Sequence, residues 1–469
     1  MTRTPRPVIY IPLILLSLLT LIFAPRIVVG FRDESRAQKS LAAGQYARAA
    51  ESYEAAARRL FWRNDLWEQA GLAAQNDPAE ALRLLDEAQS RQPLSPEGLM
   101  AFGDAHYALG DQDAALSYWQ AALSAGYSSA GLYERLAGAY YILGDKDAEI
   151  EALRGWLVYH ADNAAAHYRL GLLLIVQSPD EAFAELETAA RVDEGYASVF
   201  QTLRTALNLA LLEPAPAEKL VIIGRALGLA SEWELAADAF RRAAQADPES
   251  ASAWAWLGEA KQHLGQNPLP DLDKALDLQP DSTLIRSLRG LYWQRQEKAE
   301  EALLEFQTAA GLEPENPVWH SALGEVYAQA GDLPPALAAY QQAVELAPET
   351  PLYWRLLAVF CLHYSVQVEE VGLPAAQKAV ILAPNDPVMA DTLGWVYLTL
   401  GQMEDAEKQL LHALEIASDF ASAHLHLGML YLQGGQRELA YGYLLKARDL
   451  AGSDVIGQQA QRILEQYFP

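Results

Sequence analysis

The chain has 469 residues, 51% of them apolar and 9% aromatic, and its 61 acidic against 35 basic side chains give a formal charge of −26. This much apolar material excludes global disorder and the collagen, mucin and prion-like classes. The acidic excess excludes a phosphate backbone as ligand, and the single cysteine, Cys361, excludes intramolecular disulfides and Cys-only metal sites without deciding the compartment. No acidic run exceeds two residues, so the acidity reads as solvation of a long helical surface, with attraction of a basic partner as the alternative.

The first predicted element is membrane-directed. Val8 to Ala24 (VIYIPLILLSLLTLIFA) carries no charge, follows Arg3 and Arg6, and precedes Pro25 and Arg26. As a helix its 17 residues span about 25 Å, slightly short of a ~30 Å hydrocarbon core. Ile27 to Gly30 could extend it while Arg26 snorkels to the interface. A cleaved secretory signal with its cut after Val28-Val29-Gly30 is the competing reading, but the apolar run is long for one and no Ala-x-Ala stands at the right place. Arg3 and Arg6 argue for an inside N-terminus, whereas Arg26, Arg32, Arg36 and Lys39 argue the reverse. A short basic tail before an apolar run behaves like an uncleaved signal. The expectation is therefore a single-pass protein with its bulk on the extracytoplasmic side; a cytoplasmic array, or secretion after cleavage, stays open.

From about residue 33 the same residue types return roughly every 34 residues. One copy reads Phe102-Gly103, His106-Tyr107, Gly110, Ala115, Trp119 and Ala122. The offsets recur in Leu323-Gly324, Tyr327, Gly331, Ala336, Tyr340, Ala343 and Pro348, and again in Leu393-Gly394, Tyr397, Gly401, Ala406, Leu410 and Ala413. Apolar residues 3, 4 and 7 apart mark one face of a first helix, a glycine ends it, and Ala and aromatic residues four apart mark a second. Small residues such as Gly103, Gly258, Gly324, Gly394 and Gly428 let the two helices approach closely. Pro93, Pro248, Pro280, Pro314, Pro348 and Pro384 close each pair. No pair buries its face alone, so stacking is obligatory.

This pattern resembles the tetratricopeptide repeat family over about nine tenths of the chain. The resemblance implies an all-α, right-handed superhelix, an α-solenoid of about twelve helix pairs behind an N-terminal transmembrane helix. The pairs begin near residues 33, 64, 96, 130, 164, 217, 251, 283, 317, 351, 387 and 421. The expected organisation is an anchor at 1–32, pairs 1 to 5 at 33–194, an irregular helical insertion at 195–218, pairs 6 to 12 at 219–453, and a capping helix at 454–469. Within the insertion Ala197 to Leu212 reads as a helix ended by Glu213-Pro214-Ala215-Pro216, and Val455 to Tyr467 reads as the cap.

No catalytic, cofactor or metal site is expected. No phosphate-binding glycine loop occurs, and Gly126-Tyr127-Ser128-Ser129-Ala130 lacks the closing glycine of a nucleophile elbow. His424 and His426 are two apart on a helix and point to different sides. Cys361 takes a position held by Tyr327 and Tyr397 in neighbouring copies, so it should be buried and inert. Membrane-anchored relatives in envelope biogenesis sometimes carry a paired-cysteine metal knuckle, which one cysteine rules out. The family's carboxylate clamp would require Lys, Asn and Arg where Glu134, Gly138, Ala165 and Tyr168 stand.

If offsets 4, 7, 8 and 11 of each first helix pack inward, offsets 2, 5, 9, 12 and 13 line the inner surface at 100° per residue. That surface is apolar early, with Tyr107, Tyr141 and Tyr168. It is polar in the middle, with Glu259, Gln262, His263, Gln294, Arg295, Glu325 and Gln329, and apolar late, with Leu352, Arg355, Val359, Leu362, Asp391, Trp395, Leu398, Leu425, Met429 and Leu432. Exposed apolar patches of this extent mark interfaces. They would be covered by a protein or peptide partner, or from within by the 197–212 and 455–467 helices. The expected function is a non-enzymatic, membrane-anchored scaffold or adaptor with protein or peptide partners, a membrane contact through residues 8–24 and no nucleic acid, acting in envelope assembly, secretion or polymer biogenesis. The alternative is a spacer or self-associating coat.

Overall fold

The computed structural model describes residues 10–468, the stretch 10–22 as helical backbone alone. Among the described residues twenty-six α-helices make up an all-helical tetratricopeptide-like solenoid, in two compact units, Met1–Leu209 and Ala210–Pro469.

The first unit stacks five antiparallel pairs: α1 (Tyr10–Ala42) with α2 (Tyr46–Arg59), α3 (Asp65–Ala73) with α4 (Pro78–Arg91), α5 (Pro96–Ala108) with α6 (Gln112–Ser124), α7 (Ala130–Leu143) with α8 (Lys146–Tyr159), and α9 (Ala164–Leu174) with α10 (Pro179–Val192). The lone α11 (Ala197–Leu212) carries the division between the units. The second unit holds α12 (Pro216–Leu229) and α13 (Trp233–Ala246), α14 (Ala251–His263) and α15 (Leu269–Leu278), α16 (Thr283–Arg295) and α17 (Ala299–Leu312), α18 (Pro317–Gln329) and α19 (Leu333–Leu346). It continues with α20 (Pro351–Tyr364) and α21 (Leu373–Leu382), α22 (Pro387–Thr399) and α23 (Met403–Ile416), α24 (Ala421–Gln433) and α25 (Arg437–Ala451), and ends in α26 (Val455–Tyr467).

Local chemistry sets these bounds. Ser95, Asp111, Ser129, Asp145 and Asn163 each cap the following helix by accepting a backbone N–H. Proline opens α4, α5, α18, α20 and α22, where its missing N–H is harmless. Within a pair, a large side chain of the second helix lies against a small residue of the first. Trp119 packs on Gly103, where an added Cβ would stand 2.5 Å from the indole ring. Between the tenth pair's helices, Ser365 and Gln367 adopt positive φ before a π-helical turn over Val368–Gly372. Cys361 is fully buried beside it, and burial pushes its thiol up to about 11.

The transmembrane helix expected over residues 8–24 is not found. No helix among the described residues is long and apolar enough to cross a membrane; Val8 and Ile9 lie outside the described residues, and 10–22 carry no described side chains. What the structure does show is that α1 runs unbroken through Pro25 and across the 32/33 boundary drawn from the repeat. Ile27 already packs on the core that holds Leu60. Arg26 donates to the carbonyl of Arg58 at 3.0 Å, and Asp33 pairs with Arg59 at 2.6 Å. The first pair thus begins within the stretch assigned to the anchor, because the register of α2 against α1 extends past the point where the repeat pattern becomes recognisable.

Candidate binding groove

In the second unit a period near 34 residues places the inner offsets of successive first helices side by side. Gln294 of α16 donates to Gln329 of α18 at 3.2 Å, 35 residues on. Arg295 reaches back 36 residues to Glu259 of α14, donating from both terminal nitrogens at 3.0 and 3.1 Å. His263 donates to the same Glu259 oxygen at 3.1 Å, and its ring stacks on Trp233 with centroids 3.6 Å apart and planes 4° off parallel.

Between α16, α18 and α20 this surface opens into a cavity of about 700 Å3, lined by Gln294, Arg295, Val326, Gln329 and Tyr364. A second cavity of about 380 Å3 shares Gln329 and Tyr364 and is lined by Val318, Ser321, Glu325, Leu356, Val359 and His363. The walls therefore mix amides, a carboxylate and a guanidinium with apolar side chains. Tyr340 also borders the second cavity; burial, helped by the negative charge of Glu325, raises its phenol pKa well above the ordinary value, so it presents a neutral hydroxyl. Three polar atoms on these first helices are buried without a hydrogen-bond partner among the described residues: Glu259 Oε2, Gln262 Oε1 and Arg355 Nε.

The residues expected on the inner surface divide. Val359 lines the second cavity and is half-buried, as is Arg355, while Leu352 is exposed at the start of α20. Leu362, Asp391, Leu398 and Leu425 are buried instead of open. Asp391 accepts from Ser422 at 2.8 Å and from His426 at 2.7 Å. Leu398 packs with Leu427, Leu430 and Tyr431. Leu425 is enclosed with Ala460 and Leu464 of α26, with Met429 at the edge of that cluster. Trp395 is half-buried with its ring centroid 5.0 Å from that of His426. The physical reason is phase: in these last pairs offsets 5 and 12 turn toward the neighbouring first helix, while 9 and 13 face the opening, as Glu325, Gln329, Val359 and His363 do.

In the first unit Tyr107 and Tyr141 are exposed. Tyr107 leans on Trp119 at 5.5 Å, and Arg169 lies 4.7 Å above the ring of Tyr141. Tyr168 meets Tyr196 at 4.6 Å. Sequence reasoning passed over Ser321, Leu356, His363 and Tyr364 as groove residues. Offset 5, which Ser321 occupies, and offset 13, which His363 occupies, carried a signal for two of them; Tyr364 enters because α20 runs one residue longer than α18.

Tetratricopeptide-repeat profiles match residues 71–118, 100–162 and 223–266, residues 294–359, and residues 391–420. A comparison with curated proteins finds no match. Among solved structures, yeast Tom70 is similar at 15% identity over 93% of this chain and 95% of its own, with a TM-score of 0.44. The Cut9–Hcn1 hetero-tetramer of the APC/C is similar at 15% identity over 96% of this chain and 99% of that one, also with a TM-score of 0.44. Pseudomonas aeruginosa pilF is similar at 18% identity over 46% of this chain and 98% of its own, with a TM-score of 0.36.

Proposed function

We propose that this chain, whose matched segments are tetratricopeptide repeats suited to protein–protein interaction, is a membrane-tethered scaffold. In this reading it holds an extended segment of a protein partner across α14, α16, α18 and α20. The observation that carries it is the open, mixed-polarity groove lined by Gln294, Gln329, Glu325, Val318 and Val359. An extended chain offers a backbone donor and acceptor at every residue and side chains on alternating sides. Such a segment can meet the Gln294 and Gln329 amides while an apolar side chain rests on Val318 and Val359. The groove supplies recognition and no group poised for bond-making. The tether is the Val8–Ala24 run, and its short basic lead favours an array outside the cytoplasm, which suits work in envelope assembly, secretion or polymer biogenesis.

The test is selection of peptides from a displayed random library on the full chain in lipid nanodiscs. Selected peptides should lose at least tenfold in affinity with Gln329→Ala and with Val359→Asp, about 1.4 kcal/mol, and keep it with Lys408→Ala on the outer helix α23. Peptides indifferent to both groove substitutions would end the proposal. Protease added to cells with the outer face opened reports the side of the membrane, since only an array outside the cytoplasm is digested.

A further inference from the structure

The turn that closes the first pair departs from the others. Where later pairs place Pro93, Pro248, Pro280, Pro314, Pro348 or Pro384 among polar residues, this one reads Leu60-Phe61-Trp62-Arg63. Leu60 is buried against α1, but Phe61 is 65% and Trp62 46% exposed, their rings edge-to-face at 5.0 Å. Water is an unfavourable setting for two large aromatics on a tight turn, and their chemistry is that of side chains enriched at membrane–water interfaces.

Their place relative to α1 is fixed. Arg63 binds Glu34 at 3.1 Å and Asp65 at 2.8 Å, and an added Cβ on Gly30 would stand 2.7 Å from Leu60. Gly30 lies six residues past Ala24, about 9 Å along a helix, and Arg26, bonded to the carbonyl of Arg58, lies about 3 Å past it. The headgroup layer is about 5 to 7 Å deep on each side of the hydrocarbon core. For a bilayer holding residues 8–24, the contacts that hold the end of α2 to α1 thus run from inside the headgroup layer, at Arg26, to about 2 Å beyond its outer edge, at Gly30. Val28 and Phe31 of α1, about 6 and 10 Å past Ala24, are exposed over the same stretch. The charge agrees: residues 1–32 hold four arginines and no acid, so all 61 acidic residues lie beyond them, and Asp33 and Glu34 are both paired with arginine.

We infer that Phe61, Trp62, Val28 and Phe31, with Arg26 and Arg32, form a collar that seats the array on the bilayer, the aromatics in the headgroup layer and the arginines on anionic phospholipid. This rests on the membrane tether proposed above. Because α1 has no break, the collar holds the first pair at a set tilt instead of leaving it on a loose leash. The acidic surface beyond it is repelled from the same lipids.

The experiment uses the full chain carrying Cys361→Ser, with a fluorescent thiol label placed singly by Ser17→Cys, Phe61→Cys or Gln45→Cys. The chain is reconstituted in vesicles of phosphatidylcholine with phosphatidylglycerol as the minority component. Gln45 is exposed in the turn after α1, whose end at Ala42 lies about 18 Å along the helix from Gly30. The label at 17 should be quenched by nitroxide deep in the acyl chains. The label at 61 should be quenched several-fold more than that at 45 by nitroxide at the headgroups, and shielded from aqueous iodide. Arg26→Gln with Arg32→Gln should reduce the gain in shielding that phosphatidylglycerol gives over phosphatidylcholine alone. Deep quenching at 17 with the label at 61 behaving like that at 45 overturns the collar and leaves the tether standing. Absence of quenching at 17 overturns the tether and the collar with it. Shielding at 61 without nitroxide quenching overturns the collar in favour of a protein cover such as a second copy of this chain. Far-UV circular dichroism of each labelled protein keeps misfolding apart from these outcomes.

Discussion

Two glycines in neighbouring first helices should respond to alanine with opposite sign. At Gly103 a Cβ would lie 2.5 Å from Cδ1 and 2.6 Å from Nε1 of Trp119, and 3.0 Å from the carbonyl oxygen of Ala115. The indole cannot yield, being almost fully buried and donating from Nε1 to Asp104 at 3.0 Å. Overpacking costs about 1–3 kcal/mol, and displacing the indole bond adds about 1 kcal/mol. Better helix propensity returns about 1 kcal/mol, so Gly103→Ala should destabilise the third pair by about 2 kcal/mol. At Gly138 in α7 nothing stands within 4 Å of the added carbon, and the residue is exposed. Only the propensity gain remains there, so Gly138→Ala should stabilise by up to about 1 kcal/mol. Because a repeat array is stabilised by nearest-neighbour contacts, the assay is hydrogen exchange resolved by helix. Exchange in α5 and α6 should rise by about thirtyfold in Gly103→Ala, with α18 and α19 unchanged, and exchange in α7 should slow in Gly138→Ala. Unchanged or slower exchange in Gly103→Ala, or faster exchange in Gly138→Ala, would refute the close-approach account of the pairs.

Arg295→Ala leaves the buried Glu259 without its two guanidinium bonds. The arginine head is partly solvated, so the loss should sit near the low end of a charged pair, about 1.5–2 kcal/mol. Adding Glu259→Gln should recover more than half of it, which chemical denaturation of the double-mutant cycle reads directly. His424 has its pKa lowered by burial, reinforced by Lys446, although Nε2 donates to the Ser418 carbonyl at 3.0 Å and Asp419 opposes the shift. The folded form then binds fewer protons than the unfolded one. Its contribution is present above the ordinary value of 6.5 and is lost as pH falls below it. Melting temperature across that window should fall less in His424→Gln than in the parent; an equal fall would assign the pH dependence elsewhere.

Much of the helical organisation was legible because it rests on short-range chemistry. Proline at the first helical position, Ser, Asp and Asn caps, and the small-against-large contact typified by Gly103 and Trp119 all leave signs at set spacings. The start of the first pair was not legible. There the pattern is overwritten by an apolar run, and the contacts that define the pair, Arg26 to Arg58 and Ile27 against the core around Leu60, use residue types that also suit a membrane flank. Phe61 and Trp62 carried a signal that went unread, since they stand where other copies have a proline and a polar turn.

The groove shows how far helix phase alone can reach. A 100° step separates inward from outward residues, but the inner side of a first helix has a centre and two flanks, and sequence offsets do not distinguish them. Offsets 9 and 13 fall at the centre, so Glu325 and Gln329 on α18 and Val359 and His363 on α20 meet the opening whatever the neighbours are. Offsets 5 and 12 fall on the flanks, where the spacing to the next first helix decides. In α22 and α24 that spacing closes over Asp391 and Leu398, and α26 closes over Leu425. The same flank position in α16 holds Gln294, whose amide bridges to Gln329 and lines the cavity. A polar flank next to an opening and an apolar flank next to a closed seam are two outcomes of one offset. Neighbouring helices select between them, and the identity of the flank residue, amide in the middle of the array and leucine near its end, is the part of that choice written in the sequence.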